Sequence, residues 1–115
     1  MNREQFVDVV KRVVLESTVT GTITQLSQPA GQKPDPARVE LSAWFNSLPR
    51  PDRENLEKVI RLTADMAVFG MLCVLDGARA IEDGPERGTL DLRYRRGEQD
   101  VSLNDDGGDP LHDLL

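Results

Sequence analysis

The sequence has little of what a disulfide or a metal site needs, with one cysteine (Cys73) and one histidine (His112) in 115 residues. An internal disulfide takes two cysteines, and a structural zinc site takes about four His or Cys ligands. A lone thiol is typical of a reducing compartment, so we expect a cytoplasmic protein. No apolar run approaches the ~18 residues of a membrane span, and we expect no signal peptide, because no apolar core follows Met1.

Catalytic motifs are also missing from the sequence. It contains no GxSxG elbow, no P-loop, no GxGxxG and no HExxH. The acidic run 104–109 is loosely similar to a calcium loop, but it lacks the alternating oxygen donors and the closing glutamate of that loop. We therefore expect no catalytic residue, no cofactor and no metal ligand.

Basic residues are absent from the C-terminal tail, where most of the net charge of −6 lies. Residues 100–115 carry five aspartates and no Lys or Arg, which leaves 15 acids and 14 bases in residues 1–99. A nucleic-acid binder needs a basic surface, so the net charge argues against this class of protein and we expect no nucleic-acid partner. The tail either keeps the chain in solution or faces a basic surface of a protein partner.

Apolar residues at helical spacing predict three helices. Phe6, Val9 and Val10 begin a stripe that favours a helix over residues 3–17. Residues 18–35 are rich in Thr, Gln, Pro and Gly, and they are interpreted as a linker-like loop. Asp35 and Pro36 have the residue types of an N-cap and a first helical position, and the prolines at 49 and 51 end that helix.

The third helix begins near Pro51 and carries ten consecutive apolar or glycine residues at 66–75. A helix that is apolar on every side is buried on every side, so we expect this helix at the centre of the core. The spacing also places Trp44, on the second helix, in the core. The C-terminal leucines at 111, 114 and 115 are expected to fold back onto the domain.

Alternating residues after Gly88 predict a β-hairpin with strands at 89–95 and 98–103. A turn at Arg96-Gly97 would place Leu92 opposite Val101, and Arg93 opposite Asp100. The predicted fold class is α+β: three helices, with the long buried one central, packed against a C-terminal two-stranded hairpin. We expect one domain over residues 1–115, with an acidic tail at 104–115.

Six residues are candidates for binding a protein partner. Two are carboxylates beside the apolar run, two lie on the hairpin and two lie in the tail: Asp65, Asp76, Tyr94, Arg96, Asp105 and Asp106. The alternative for the first two is a local ion pair with an arginine of the same helix, Arg61 or Arg79. In the predicted hairpin, the tail emerges near Arg87 and leaves Arg96 free at the tip.

Several short stretches resemble a group of small bacterial proteins of unknown function: residues 44–45, 52–53, 65–70, 76–77 and 111–114. The resemblance covers about the C-terminal two-thirds of the chain. It implies no activity and no functional residues.

The sequence favours a non-catalytic, acidic interaction protein, of the kind that serves as an inhibitor, an immunity protein or an accessory subunit. The alternative is a small enzyme or ligand-binding domain, with a pocket between the central helix and the hairpin. Open hairpin edges and several apolar helix faces also predict a homodimer, formed through the first helix or a hairpin edge.

Overall fold

The computed structural model describes all residues, 1–115, and has the predicted α+β composition. The first helix comprises α1 (Arg3–Val10), a π-helical segment (Lys11–Glu16) and α2 (Ser17–Ser27). It is followed by α3 (Pro36–Ser47), α4 (Arg50–Leu75), strands β1 (Arg93–Arg96) and β2 (Gln99–Ser102), and a 3₁₀ turn (Leu111–Leu114). The chain divides into two compact units: a terminal unit, Met1–Val14 with Met66–Leu115, and a middle unit, Leu15–Asp65.

The predicted linker at 18–35 is wrong for its first ten residues, which belong to α2. Leu15 and Val19 are buried four residues apart, and α2 packs against α3. Hydroxyl groups in α2 donate to carbonyl oxygens four residues back, as from Thr22 to Thr18 (2.6 Å). Threonine and valine are weak helix formers, so the packing of one face, and not intrinsic propensity, stabilises this helix. Only residues 28–35 connect α2 to α3.

α3 begins as predicted, because the Asp35 side chain accepts a hydrogen bond from the backbone N–H of Ala37 (2.9 Å) and Pro36 takes the first helical position. Its buried side is formed by Ser42 and Phe45. Trp44 is 49% exposed, so its predicted place in the core is wrong. Phe45, one residue further along the helix, points to the buried side instead.

The expectation that the 66–75 run is buried on every side is also wrong. Leu72 and Cys73 are buried, whereas Met66, Phe69 and Met71 are exposed. The core of the terminal unit is a cluster of Val7, Leu72 and Leu111, with these partly buried side chains around it: Phe6, Val68, Leu75, Leu92, Leu114 and Leu115. The inward folding of the C-terminal leucines is thereby confirmed.

The predicted hairpin is present, but its register is shifted. Arg95 lies opposite Asp100 and Tyr94 opposite Val101, and the backbone N–H of Leu103 donates to Leu92 (2.8 Å). The turn is therefore Gly97-Glu98, with Gly97 at φ +59° and no positive φ at any non-glycine residue. A type II′ turn needs glycine at its first central position, and the predicted turn had placed Gly97 second.

Gly21 tests the helical assignment of residues 17–27. A Cβ atom added there meets nothing within 4 Å. Alanine is favoured over glycine inside a helix by about 1 kcal/mol, so Gly21→Ala should raise the melting temperature by about 4 °C. Gly31, at φ +93°, is the control, and Gly31→Ala should destabilise the protein. If calorimetry gives equal melting temperatures for Gly21→Ala and the wild type, the helical assignment of residues 17–27 is contradicted.

Candidate functional site

A cavity of about 610 Å³ opens in the terminal unit, between the end of α4, the segment that follows it and the hairpin. This cleft is lined by apolar side chains such as Leu75 and Ile81, and by charged groups of both signs. Its volume lies within the range of small-ligand sites, roughly 300–1,000 Å³. Asp76, Asp105 and Asp106 line it, whereas Asp65, Tyr94 and Arg96 do not.

One amide side chain, that of Asn104, holds three walls of this cleft together. Its Nδ2 donates to the carbonyl oxygens of Leu75 (2.6 Å), at the end of α4, and of Leu90 (2.8 Å). Its Oδ1 accepts from the backbone N–H of Leu92 (2.8 Å). The sequence analysis missed Asn104, because nothing in the local pattern distinguishes a structural asparagine from an ordinary turn residue.

The carboxylate of Asp76 binds the C-terminal 3₁₀ turn. One carboxylate oxygen, Oδ2, accepts from both the backbone N–H (2.9 Å) and the ring Nδ1 (2.8 Å) of His112. Because a carboxylate only accepts, Nδ1 carries the proton. The His112 ring also meets Phe69 edge-on, with centroids 5.6 Å apart. The side chain of Asp76 is only 6% exposed, so this pair docks the turn and leaves little of the carboxylate for a partner.

The alternative pairing of Asp76 with Arg79 is therefore wrong. The guanidinium of Arg79 lies over the backbone of Gly70, where an added Cβ would come within 2.6 Å of its Nη1. The glycine in the apolar run makes room for this side chain. Arg79 reaches this position because its backbone N–H donates to the carbonyl of Cys73 (3.1 Å) as the helix ends.

The acidic tail is held by Arg3, and the predicted contact with Arg87 is wrong. The Arg3 guanidinium forms an ion pair with Asp105 and donates to the backbone carbonyls of Asp105 (3.1 Å) and Asp109 (3.0 Å). Arg87 instead donates to the carbonyl of Gly84 (3.2 Å). The Leu111 turn packs against α1, which brings Arg3 to the tail across about a hundred residues of sequence.

In the middle unit, Arg61 pairs with Glu16 and not with Asp65. Two nitrogens of the guanidinium contact the two carboxylate oxygens, at 2.8 and 3.1 Å. The hydrogen bonds from Arg61 lower the pKa of Glu16. Asp65 is exposed and forms no ion pair.

On the hairpin, Arg93 lies between two aspartates, with hydrogen bonds to Asp91 (2.9 Å) and Asp100 (2.8 Å). These bonds lower the pKa of both carboxyl groups, and Ser102 adds a further bond to Asp91. A lowered folded-state pKa contributes stability above the unfolded value, near pH 4, and this stability is lost as the pH falls through the folded value. The groups are exposed, so the contribution is small.

Much of the apolar surface of the chain stays exposed. Twelve large apolar side chains are at least two-fifths exposed, on the first helix, α3, α4 and the segment after α4: Val13, Val14, Val39, Leu41, Trp44, Val59, Leu62, Met66, Phe69, Met71, Ile81 and Leu90. In the middle unit, a groove of about 420 Å³ runs between α2 and α3, with Gly21 and Leu26 on one wall and Arg38 and Leu41 on the other. Contiguous exposed apolar surface marks interaction sites, whereas apolar side chains that are exposed singly are ordinary.

Comparison with known proteins gives no match: no family model, no curated protein and no solved structure is similar to the chain. No group of three or more His, Cys, Asp or Glu side chains is arranged to hold a metal ion. No helix has the length and apolarity needed to cross a membrane. The function is therefore inferred from the chemistry of the cleft and of the exposed faces.

The substitution Asn104→Asp, which keeps the shape of the side chain, tests whether the hydrogen bonds of Asn104 stabilise the fold. Asn104→Asp removes the two N–H donors and sets a carboxylate against the carbonyls of Leu75 and Leu90. We expect a loss of about 2–4 kcal/mol in unfolding free energy by urea titration at pH 7. Asp106→Asn, at an exposed position nearby, should change it by less than about 0.5 kcal/mol. Similar small changes in unfolding free energy for the two variants would show that the hydrogen bonds of Asn104 do not stabilise the fold.

Proposed function

We propose that this protein is a non-catalytic, acidic interaction module that binds another protein in the cytoplasm, in the manner of an inhibitor, an immunity protein or an accessory subunit. The observation that carries the proposal is the apolar face of α3, where Leu41 is 52% and Trp44 is 49% exposed. Phe45 of the same helix is buried in the core of the middle unit. This packing holds α3 in place, with Leu41 and Trp44 on its exposed side.

A half-exposed tryptophan is a costly residue to leave in water, and tryptophan is among the residues that dominate binding energy at interfaces. The groove between α2 and α3 extends this face with a shallow apolar depression and the cation of Arg38 at its edge. A partner that inserts an apolar segment into the groove would cover Leu41, which lines it, and would have to extend along α3 to cover Trp44 as well. The Trp44 face is thus suited to a protein and not to a small solute.

The charge distribution supports a basic partner. Arg3 neutralises Asp105, but Asp106 forms no ion pair and is exposed in the tail. Asp65 is likewise exposed and unpaired. These free carboxylates, in a chain of net charge −6, would speed association with a positively charged surface and weaken it at high salt. Arg96, exposed at the hairpin tip, would add one cation to a contact made there.

The test is comparative capture of partners from a bacterial lysate, followed by affinity measurement with the captured protein. Trp44→Ala should weaken binding at least 30-fold, because truncating a central tryptophan typically costs 2 kcal/mol or more. The matched control is Ile81→Ala, which truncates a side chain of similar exposure in the terminal unit. Circular dichroism should show both variants folded. Equal affinities for the two variants would refute the Trp44 face as the binding surface.

The cleft supports a second candidate, a domain that binds a small anionic ligand. Four of its carboxylates are engaged within the protein: Asp76 by His112, Glu82 by the N–H of Gly88, Asp91 by Arg93, and Asp105 by Arg3. Arg79 and Arg87 also line the cleft, and neither forms an ion pair. The partners of Asp76 and Glu82 are uncharged groups, so the cleft has no net positive charge, and Arg79 and Arg87 are the two cations of its lining that remain to bind an anionic group.

Inorganic phosphate and succinate are the probes for this second candidate. Binding should perturb the amide resonances of residues 74–91, and the double variant Arg79→Ala/Arg87→Ala should abolish the perturbation. Arg96→Ala, at the hairpin tip outside the cleft, should leave it unchanged. An identical response of the wild type and the double variant would eliminate the cleft as an anion site.

A further inference from the structure

The segment between α4 and β1 is a loop whose ends are joined. It contains no helix or strand, but the carbonyls of Leu75, just before it, and of Leu90, near its end, accept from the same nitrogen of Asn104 (2.6 and 2.8 Å). Within the loop, the backbone N–H of Gly88 donates to the carboxylate of Glu82 (2.8 Å). Long segments with joined ends and internal contacts are commonly binding loops. This loop forms one wall of the cleft.

Two guanidinium groups of the loop line the cleft. The Nε of Arg87 donates to the carbonyl of Gly84 (3.2 Å), which leaves its two terminal nitrogens without a partner. The side chain of Arg79 forms no hydrogen bond, and its guanidinium lies over Gly70, one helical turn before Val74 of the cleft wall. A guanidinium with free N–H groups binds a carboxylate through charge-assisted hydrogen bonds. The two arginines are therefore suited to the carboxylate of a ligand.

Apolar side chains lie in the same cleft. Ile81 is 58% and Leu90 is 43% exposed, and both line the cleft together with the half-buried Val74 and Leu75. Ligand sites combine apolar walls with a few polar groups that fix the orientation of the ligand. A ligand that fills this cleft therefore has an apolar part as well as a carboxylate.

The remaining charges of the cleft disfavour a ligand of high negative charge. The lining has three guanidinium groups, those of Arg79, Arg87 and Arg93, and five carboxylates. The carboxylate of Asp106 is exposed and has neither an ion pair nor a hydrogen bond. An inorganic anion would leave this carboxylate unpaired, whereas a ligand that carries its own ammonium group would bind it.

We propose that the cleft binds a small zwitterion with an apolar side chain, which is the chemistry of leucine or of an apolar dipeptide. The carboxylate binds the two arginines of the loop, the ammonium group binds Asp106, and the side chain lies against Ile81 and Leu90. Such a ligand uses every kind of group that the protein leaves unpaired in the cleft, and it brings no net charge. The inference rests on the second candidate function, because it identifies the molecule that carries the anionic group, and it is independent of the Trp44 face.

Four probes that differ in single groups test the proposal: leucine, dileucine, 4-methylpentanoate, which lacks the ammonium group, and 3-methylbutylamine, which lacks the carboxylate. NMR titration of the amide resonances of residues 74–106 should give a dissociation constant for leucine or dileucine that is about tenfold lower than for the other two, because each of those loses charge-assisted hydrogen bonds. The tighter of the two zwitterions identifies the ligand as a free amino acid or a peptide. Equal binding of all four probes, or no change of these resonances with any of them, overturns the proposal.

The contact with the ammonium group is tested by Asp106→Asn, with Asp109→Asn as the control, because the control removes the same charge from the tail outside the cleft. Asp106→Asn should weaken the tighter zwitterion about tenfold and leave 4-methylpentanoate unchanged, whereas Asp109→Asn should change neither. An equal response of the two ligands to Asp106→Asn overturns the assignment of the ammonium group.

The double variant Arg79→Ala/Arg87→Ala separates this inference from the candidate function on which it rests. It should abolish the binding of both the zwitterion and 4-methylpentanoate, since both carry the carboxylate. If phosphate or succinate binds through these arginines and no zwitterion binds more tightly, the cleft is an anion site and the present inference is wrong. If the double variant binds every probe as the wild type does, both are wrong.

Discussion

The side-chain amide of Asn104 satisfies backbone groups that no regular element could pair. The end of any helix leaves carbonyl groups without partners, and the segment after α4 has no regular structure to receive them. One amide that both donates and accepts joins the carbonyl of Leu75 to the segment that enters β1. The walls of the cleft depend on this connection, whereas the Leu111 turn beside them is docked by the contact of His112 with Asp76.

The division into two compact units explains why so much apolar surface is exposed. The buried apolar side chains of the middle unit are Leu15, Val19, Phe45 and Ala64, which form a very small core. Small units bury a low fraction of their surface, so an amphipathic helix with two apolar faces can satisfy only one of them internally. The second face is then free for association, and we interpret the exposed face of α3 in this way.

Short stretches of sequence predicted those parts of the fold that depend on interactions between residues close together in the chain. Three features could be predicted because each depends on only a few neighbouring residues. They are the N-cap at Asp35, the hairpin with its alternation of apolar and polar residues, and the cluster of C-terminal leucines that folds inward. The helical state of residues 17–27 depends on α3, and the contact of Arg3 with the tail joins the two ends of the chain. Neither was predictable from a window of sequence, and the same holds for Asn104. The predicted register of the hairpin is wrong by one turn position. Complementary strand pairs alone do not determine whether Gly97 is the first or the second residue of the turn.

The exposure of Trp44 has a spectroscopic consequence. The protein has one tryptophan, and about half of its surface is already in contact with water in the folded state. Its emission maximum should therefore move little during denaturation, and folding is better followed by the amide signal of the helices. Covering α3 with a partner would move the indole from water to an apolar contact and shift the emission to shorter wavelength. The emission of Trp44 is therefore a more sensitive measure of association than of folding.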